Sequence, residues 1–200
     1  MSIESKKLKW SDLPEASELS QALEQEKYRE RYLKTLKSTV STLVVVAAIA
    51  ILTATLWLPV LQIYGNSMTP NLESGDMVVS VSAQKLRQRD VVAFYYNNKV
   101  LVKRVIATEG QWVDIDSQGT VSVDGQKLEE PYLADNEKDL GDTNIQLPYQ
   151  VPEGKFFVMG DHRSASIDSR NTAIGSIGNE QIVGRLVLRV WPLNRIQWVK

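Results

Sequence analysis

Residues 91–106 read VVAFYYNNKVLVKRVI, which is two apolar runs separated by Asn97-Asn98. Valine, isoleucine, tyrosine and phenylalanine favour strands. An asparagine pair between two such runs favours the tight turn of a β-hairpin. The stretch therefore predicts the strands Val91–Tyr96 and Val100–Ile106, joined by a turn.

The same kind of run recurs on both sides of this hairpin. Further strands are predicted, on the same composition, at Met77–Val81, Trp112–Ile115, Thr120–Val123, Lys155–Met159 and Ile182–Val190. Turn residues such as Asp124-Gly125 separate them, and residues 129–154 are polar and turn-rich. We therefore expect a mainly β fold, in which residues 62–200 form one antiparallel β domain.

An apolar run, Val40–Leu61, precedes this domain, and no charged residue lies between Lys37 and Glu73. At about 1.5 Å of helix per residue, the run is long enough to cross the roughly 30 Å hydrocarbon core of a membrane. It predicts one transmembrane helix over residues 38–61. A buried core helix rarely needs so long an apolar run, and the apolar part of a cleaved signal peptide is shorter and lies nearer the N-terminus.

The charges beside the apolar run predict its orientation. Basic residues precede it at Lys27, Arg29, Arg31, Lys34 and Lys37, and the first basic residue after it is Lys85. By the positive-inside rule, residues 1–37 are cytoplasmic and residues 62–200 lie outside the cell membrane, which the chain crosses once. The cytoplasmic segment is predicted to be partly helical, with its N-cap at Ser11.

The composition excludes several kinds of site. The formal net charge is −1, so no broad electrostatic field for nucleic acid is expected. The chain has no cysteine, which excludes disulfides and thiolate metal sites, and its one histidine, His162, excludes a multi-histidine zinc site. No metal and no other cofactor is predicted.

A serine and a lysine are candidates for chemistry. Ser67 follows Gly65, which lets the backbone approach a substrate closely, and Pro70 fixes the turn behind it. A serine nucleophile needs a base to take its proton. Lys103 could be that base if its face of the strand is buried, because burial lowers the pKa of an amine. Arg104, the next residue, points to the opposite face, which could equally be the buried one. The pattern therefore leaves open whether the Lys103 amine is buried or reaches water.

A third segment, residues 160–170, combines two acids with two arginines, namely Asp161, Arg163, Asp168 and Arg170. Such a set predicts paired charges that fix a loop against a site. A solvated, charged loop is the alternative interpretation of the same composition.

Together, the three segments resemble those of the bacterial type I signal peptidases, the membrane-bound Ser/Lys endopeptidases that cleave signal peptides from exported proteins. Ser67-Met68-Thr69-Pro70 followed by Gly75-Asp76 is similar to the nucleophile segment of the family. Lys103-Arg104-Val105-Ile106 is similar to its base segment, and residues 160–170 are similar to its last. The order of all three behind one N-terminal anchor carries the resemblance.

The resemblance implies a role for each site residue. Ser67 Oγ would attack the scissile carbonyl, and neutral Lys103 would take the hydroxyl proton and later give it to the leaving amine. The Ser67 N–H would help to stabilise the oxyanion. The Ser166 hydroxyl would bind and orient the lysine amine. The structural supports of the site would be Asp161, Arg163, Asp168 and Arg170.

The implied substrates are the signal peptides of secreted preproteins. The cleaved segment would be extended, with small residues at the first and third positions before the cut, and would add as a strand beside the site. Ile63 and Val102 would form walls of its pocket. The implied surroundings are a lipid bilayer, with no cofactor and no nucleic acid.

Four places depart from the pattern of the family. Asn71 stands where threonine or alanine is usual, Arg89 where glycine is usual, and His162 where asparagine is usual, and residues 107–111 also differ. None of these changes removes the serine, the lysine or Ser166. His162 is therefore expected to support the site rather than to act as its base.

Three other functions share features with this sequence and are disfavoured or excluded by it. A soluble Ser/Lys self-cleaving fold, like that of SOS-response repressors, is disfavoured by the apolar run and by the lack of a DNA-binding head. An inactive, anchored β domain that binds exported peptides is disfavoured by the presence of both Ser67 and Lys103. A sortase-like transpeptidase is excluded because the chain has no cysteine.

Overall fold

The structure is a computed structural model that describes residues 16–57, 59–82, 85–133 and 137–199. The predicted N-cap at Ser11 lies outside these residues. The chain divides into two compact units, one up to Ala54 and one from Thr55 onward. The described part of the first unit is helical, and the second unit is a β domain.

The described residues of the first unit lie in one helix, α1, which spans Ala16–Trp57 and has 42 residues. Its stretch Leu19–Thr53 is long and apolar enough to cross a membrane, by length and composition. The hydroxyls of Thr42 and Thr53 each donate a hydrogen bond of 2.9 Å to the main-chain carbonyl four residues earlier. These two polar side chains within the apolar run are therefore satisfied by the helix itself.

The helix ends before the boundary predicted at Leu61. Pro59 has no backbone N–H and cannot continue a helix. Residues Val60–Gln62 instead form a strand, β1, which pairs with residues 77–79. The predicted end of the helix is therefore corrected to Trp57, because Leu61 packs against the core of the β domain.

The β domain contains twelve strands among the described residues. They are β1 (Val60–Gln62), β2 (Met77–Val81), β3 (Val91–Tyr96), β4 (Lys99–Ala107), β5 (Trp112–Ile115), β6 (Val121–Val123), β7 (Gln126–Lys127), β8 (Tyr149–Gln150), β9 (Lys155–Met159), β10 (Ile177–Gly178), β11 (Ile182–Trp191) and β12 (Gln197–Trp198). The larger sheet has the order β1-β2-β11-β3-β4-β9-β10, with β12 paired to β11, and the smaller sheet has the order β7-β6-β5-β8. All recorded pairs are antiparallel, which confirms the predicted mainly β fold.

The central hairpin forms as its sequence predicts. Asn97 and Asn98 have φ values of 44° and 61°, the left-handed conformation that the tight turn requires. The strands that the sequence did not predict are β1, β7, β8, β10 and β12. Each has only two or three residues, which is too few for an alternating pattern to be visible.

Strand β4 changes partner along its length. It pairs with β3 from Lys99 to Arg104, and with β9 from Arg104 to Ala107. On the side of β9, residues 99–103 have no partner strand within the described part of the chain. This half of β4 therefore has a backbone edge that is free to pair with one more strand.

Both faces of the larger sheet are covered. Met68 and Leu72 pack with Ala93 in one buried cluster. Phe94 packs with Val158 in a second cluster, on the opposite face by the alternation of the strand. In the second half of β4, residues 103–107, side chains on both faces are therefore removed from water.

We expect Gly119→Ala to destabilise the β domain by about 2–4 kcal/mol, clearly more than Gly125→Ala. The two glycines have nearly equal φ values of +75° and +76°, so both substitutions carry the strain of a left-handed backbone. A Cβ at Gly119 would also lie 2.6 Å from the main chain of Asp139, whereas one at Gly125 would meet nothing within 4 Å. Thermal unfolding of both variants measures the difference, and equal losses would contradict it.

Candidate active site

Ser67 lies on a loop whose two ends are fastened together. Ile63 exchanges two main-chain hydrogen bonds with the far end of the loop, one of 2.9 Å from Gly75 and one of 2.8 Å to Asp76. Met68, directly after the serine, is buried in the core. These contacts hold the Ser67 hydroxyl in one place while leaving the residue itself only partly buried.

The Ser67 hydroxyl meets the amine of Lys103. The Lys103 Nζ donates a hydrogen bond of 2.7 Å to Ser67 Oγ, and Lys103 is only 3% exposed. Burial lowers the pKa of the Lys103 amine from 10.5 to about 8, and the nearby Asp168 carboxylate opposes this effect without cancelling it. The sequence pattern left the position of this amine open, and the structure places it in the interior. An amine with this pKa can act as a base near neutral pH.

The next residue, Arg104, is also buried and is 1% exposed. Its Nε and Nη2 donate to the two carboxylate oxygens of Asp161, at 2.7 and 2.6 Å. The guanidinium carbon lies 4.0 Å from the ring centroid of Tyr132. Two consecutive cations are therefore buried on opposite faces of β4, which is why alternation could not distinguish them. Arg104 has a carboxylate partner, and within the described residues Lys103 forms no salt bridge.

Asp161 connects strand β4 to the loop that carries Ser67, called here the serine loop. Besides Arg104, its Oδ2 accepts a hydrogen bond of 2.8 Å from Asn71 Nδ2. The same Asn71 amide donates to the Tyr132 carbonyl at 2.8 Å. Asn71, one of the departures from the family pattern, thus ties the loop that carries Ser67 to the carboxylate that anchors Arg104.

Gly160 lies where no side chain can fit. A Cβ at this position would lie 2.5 Å from the Ser67 carbonyl oxygen and 2.3 Å from Ser166 Oγ. The His162 N–H donates to the same Ser67 carbonyl at 3.0 Å. Close approach at glycine therefore lets the last segment hold the main chain of the serine loop.

Ser166 is buried, but its hydroxyl does not bind the lysine as predicted. It donates a hydrogen bond of 2.7 Å to Asp168 Oδ2, and no hydrogen bond between Ser166 and Lys103 is present among the described residues. Asp168 also pairs with Arg170, at 2.8 Å from Nε and 2.9 Å from Nη2. Burial alone would raise the pKa of Asp168, but the Arg170 guanidinium and the Gly160 N–H hold it below its ordinary value. The predicted pairing of charges is therefore present between Asp168 and Arg170, and the Ser166 hydroxyl donates to the same carboxylate.

Arg163 finds its partner outside the last segment. Its Nη2 pairs with Glu130 Oε1, and its Nε donates to the Gly160 carbonyl at 3.1 Å. The hydroxyl of Tyr132 donates to the same Glu130 oxygen at 3.0 Å. Glu130 and Tyr132 were not predicted as site residues, because they lie in the turn-rich stretch 129–154, where no alternating pattern predicts what packs inward.

The ring of His162 binds Thr69 rather than the serine. Its Nδ1 lies 2.8 Å from Thr69 Oγ1, and its Nε2 lies 3.5 Å from Glu137 Oε2. The side chain is 27% exposed. His162 thus contacts the serine loop through Thr69 and through its own main chain, and its ring makes no hydrogen bond to Ser67 Oγ in the described structure.

A groove opens at the Ser67–Lys103 pair. It has a volume of about 590 Å³, and its two walls are residues 61–65 and 99–103. Ile63 and Val102, predicted as pocket walls, both line it. One wall includes the unpaired half of β4, and the N–H of Ser67 has no acceptor among the described residues. The free backbone edge of β4 lies in this groove, where an extended peptide can pair with it beside Ser67 and Lys103.

Comparison with known proteins points to one family. The model of the family described as signal peptidase, peptidase S26, matches residues 36–191. Signal peptidase I of Bacillus licheniformis is 30% identical over 169 residues, which cover 79% of this chain and 90% of that protein. Signal peptidase IB of Staphylococcus aureus (strain MRSA252) is 37% identical over 154 residues, which cover 68% and 79%.

A solved structure is also similar. The crystal structure of a signal peptidase I from Enterococcus faecalis is 29% identical in sequence, with a TM-score of 0.44, and the match covers 52% of this chain and 99% of that one.

We expect the free energy of unfolding of the wild type, relative to Lys103→Met, to rise by about 3 kcal/mol between pH 8 and pH 10.5. The folded-state pKa of Lys103, about 8, is below its ordinary value of 10.5. The unfolded chain therefore binds more protons across this range, and stability rises with pH there. Below pH 8 the buried ammonium penalises the wild type, and methionine removes the penalty. Denaturant unfolding of the full chain in detergent measures the difference at each pH.

The control for this experiment is Lys127→Met, which removes an exposed lysine of β7. Its difference from the wild type should not change over the same range. A flat difference for Lys103→Met as well would contradict a buried amine.

Proposed function

Because the chain belongs to the signal peptidase family, peptidase S26, we propose that Ser67 is its nucleophile and Lys103 its general base. The protein is a membrane-bound serine endopeptidase that removes signal peptides from exported preproteins. The observation that carries the assignment of the pair is the 2.7 Å contact between Lys103 Nζ and Ser67 Oγ at a buried amine.

The reaction needs the neutral amine. Lys103 Nζ takes the proton of Ser67 as Oγ attacks the scissile carbonyl, and the ammonium then protonates the leaving amine as the C–N bond breaks. Water hydrolyses the resulting ester, with the amine again as base. With a pKa of about 8, roughly one amine in ten is neutral at pH 7, whereas at 10.5 the fraction would be about one in three thousand. Burial therefore accounts for most of the neutral amine that is present at pH 7.

Pairing of the nearby carboxylates with arginines limits how far they raise this pKa, which burial lowers. A free carboxylate beside Lys103 would stabilise the ammonium and raise its pKa. Asp168 is instead paired with Arg170, and Asp161 with Arg104. We assign Asp161, Arg163, Asp168 and Arg170 as supports of the site and not as proton carriers. Ser166 belongs with them, because its hydroxyl is held by Asp168.

The oxyanion would be stabilised by the main chain. The N–H of Ser67 makes no hydrogen bond among the described residues and is available to a developing negative charge. In part of the family, a serine hydroxyl two positions before the nucleophile helps at this point. Here that residue is Gly65, so the side-chain contribution is absent.

The substrate would bind as an added strand. Residues before the cut lie along the unpaired edge of β4, residues 99–103, and face residues 61–65 across the groove. Ile63 and Val102 are the pocket walls that limit the first and third positions before the cut to small side chains. The groove then selects by size near the cut and by backbone pairing along its length.

The protein is anchored in a membrane by its N-terminal apolar helix. We propose that residues 1–37 are cytoplasmic, that the apolar run from residue 38 crosses the lipid bilayer of the cell membrane, and that residues 62–200 form the catalytic domain outside. The excess of basic residues before the apolar run supports this orientation. Nucleic acid is not a partner in this proposal.

The function is tested by cleavage of a preprotein by the wild type and by Ser67→Ala, side by side in detergent. We expect the wild type to cut after a small-x-small site, and Ser67→Ala to lose at least about a thousand-fold in rate, because no other group replaces the nucleophile. Mass spectrometry of the products identifies the cut. A folded wild type that cuts none of several preproteins would favour an inactive binding domain instead.

Lys103→Arg is the matched test of the base. A guanidinium keeps the charge and length but stays protonated, so this variant should be nearly inactive. The wild-type rate should rise with pH through a pKa near 8. Activity of Lys103→Arg close to that of the wild type would contradict the Ser/Lys mechanism, as would an acid limb that disappears in His162→Asn.

The orientation is tested with a protease added outside intact spheroplasts. We expect trypsin to digest the β domain and to leave an N-terminal epitope tag intact until the membrane is broken with detergent. Protection of the β domain together with loss of the tag would reverse the proposed topology. A cytoplasmic marker protein reports whether the spheroplasts stayed sealed.

A further inference from the structure

The groove carries a second lysine that the mechanism does not use. Among its lining residues the charged ones are the buried Lys103 and, at the other end of the same strand segment, the exposed Lys99. No acidic residue lines the groove. A peptide lying in it therefore meets one exposed positive charge that no lining residue compensates.

Lys99 is not committed to another contact. Within residues 16–57, 59–82, 85–133 and 137–199, it forms no salt bridge and no side-chain hydrogen bond. It is the first residue of β4, directly after the Asn97-Asn98 turn, and its side chain is exposed to solvent. Its charge is available to a ligand in the groove.

The position of Lys99 relative to Lys103 sets which part of a substrate it meets. The two residues are four positions apart on one extended strand, which is a distance of about 13 Å. A peptide strand beside β4 advances by about one residue for each residue of β4. If its cut is level with Lys103, the residues level with Lys99 are the fourth to sixth before the cut.

We propose that Lys99 is a specificity-determining residue, which favours an acidic side chain about five positions before the cut and disfavours a basic one there. The inference rests on the proposed function, because it takes the residues before the cut to lie along residues 99–103. The preferred substrate is then a signal peptide whose segment before the small-x-small site carries no positive charge and accepts an aspartate or glutamate.

The expected effect is modest, because Lys99 is exposed. Exposed pairs of opposite charge contribute little, and like charges oppose binding by a similar amount. Together these effects predict a kcat/KM ratio of about three- to ten-fold between a peptide with aspartate and the same peptide with lysine at that position. Salt should reduce the ratio, since solvent-exposed charges are screened.

The experiment measures kcat/KM in an uncharged detergent for peptides that carry Asp, Asn or Lys at each of positions three to seven before the cut. We expect the Asp/Lys ratio of the wild type to be largest near position five. Lys99→Gln should bring the ratio close to one, and Lys99→Glu should invert it. Lys127→Glu is the matched control, because this exposed lysine lies on β7 of the smaller sheet, and its ratio should equal that of the wild type.

An Asp/Lys ratio that stays unchanged in Lys99→Glu would overturn the proposal. So would a Lys99-dependent effect that appears only at positions after the cut, because the peptide would then run in the other direction. Ser67-dependent cleavage of the Asn peptides establishes the peptidase separately. The proposal about Lys99 can therefore fail while the proposed function stands.

Discussion

A lysine amine that must be buried without a carboxylate partner is the constraint on which this β domain depends. Removing an ammonium ion from water costs several kcal/mol even after relaxation, and a carboxylate partner would offset part of that cost. Such a partner would also raise the pKa of Lys103 and leave little neutral amine. The fold instead leaves the amine with a neutral hydroxyl, Ser67, at 2.7 Å. The rest of the domain then has to supply the stability that this residue does not.

The other buried charges around Lys103 each have a partner of opposite charge. Arg104 is fully buried beside Lys103, yet its guanidinium is matched by both oxygens of Asp161 and stacked on Tyr132. Asp168 is matched by Arg170 in the same way. The Arg104–Asp161 pair joins β4 to the last segment, and Asn71 of the serine loop donates a hydrogen bond to the same Asp161 carboxylate. The geometry of the reacting atoms is therefore held by charges that already have partners. Breaking one partner of such a pair leaves an uncompensated buried charge, which is far more damaging than removing both.

The sequence predicted the parts of this arrangement that are local. Runs of four or more residues rich in β-branched and aromatic side chains located the long strands, and Asn97-Asn98 located the central turn, because each depends only on neighbours in the chain. The end of the helix and the two-residue strands were missed, since apolar character alone does not separate Leu61 of a strand from the helix before it. The partners in the ion pairs could not be predicted either, because Arg104 and Asp161 are 57 residues apart in sequence, and Arg163 and Glu130 are 33 apart. The roles of Ser67 and Lys103 came from the resemblance of three segments to a family, and the burial that gives Lys103 its pKa came only from the packing on both faces of β4.

The half-paired strand β4 has a consequence for which chains can be processed at all. An unpaired edge accepts a partner only if the partner can offer a stretch of backbone whose own hydrogen bonds are unmade. A compact, folded protein offers few such stretches, chiefly the edge strands of its sheets, because most of its backbone groups are already paired. Pairing with residues 99–103 therefore selects unfolded segments over folded ones, whatever their side chains. A short small-x-small sequence occurs by chance in many proteins, and the mature part of an exported chain becomes resistant to cutting as soon as it folds.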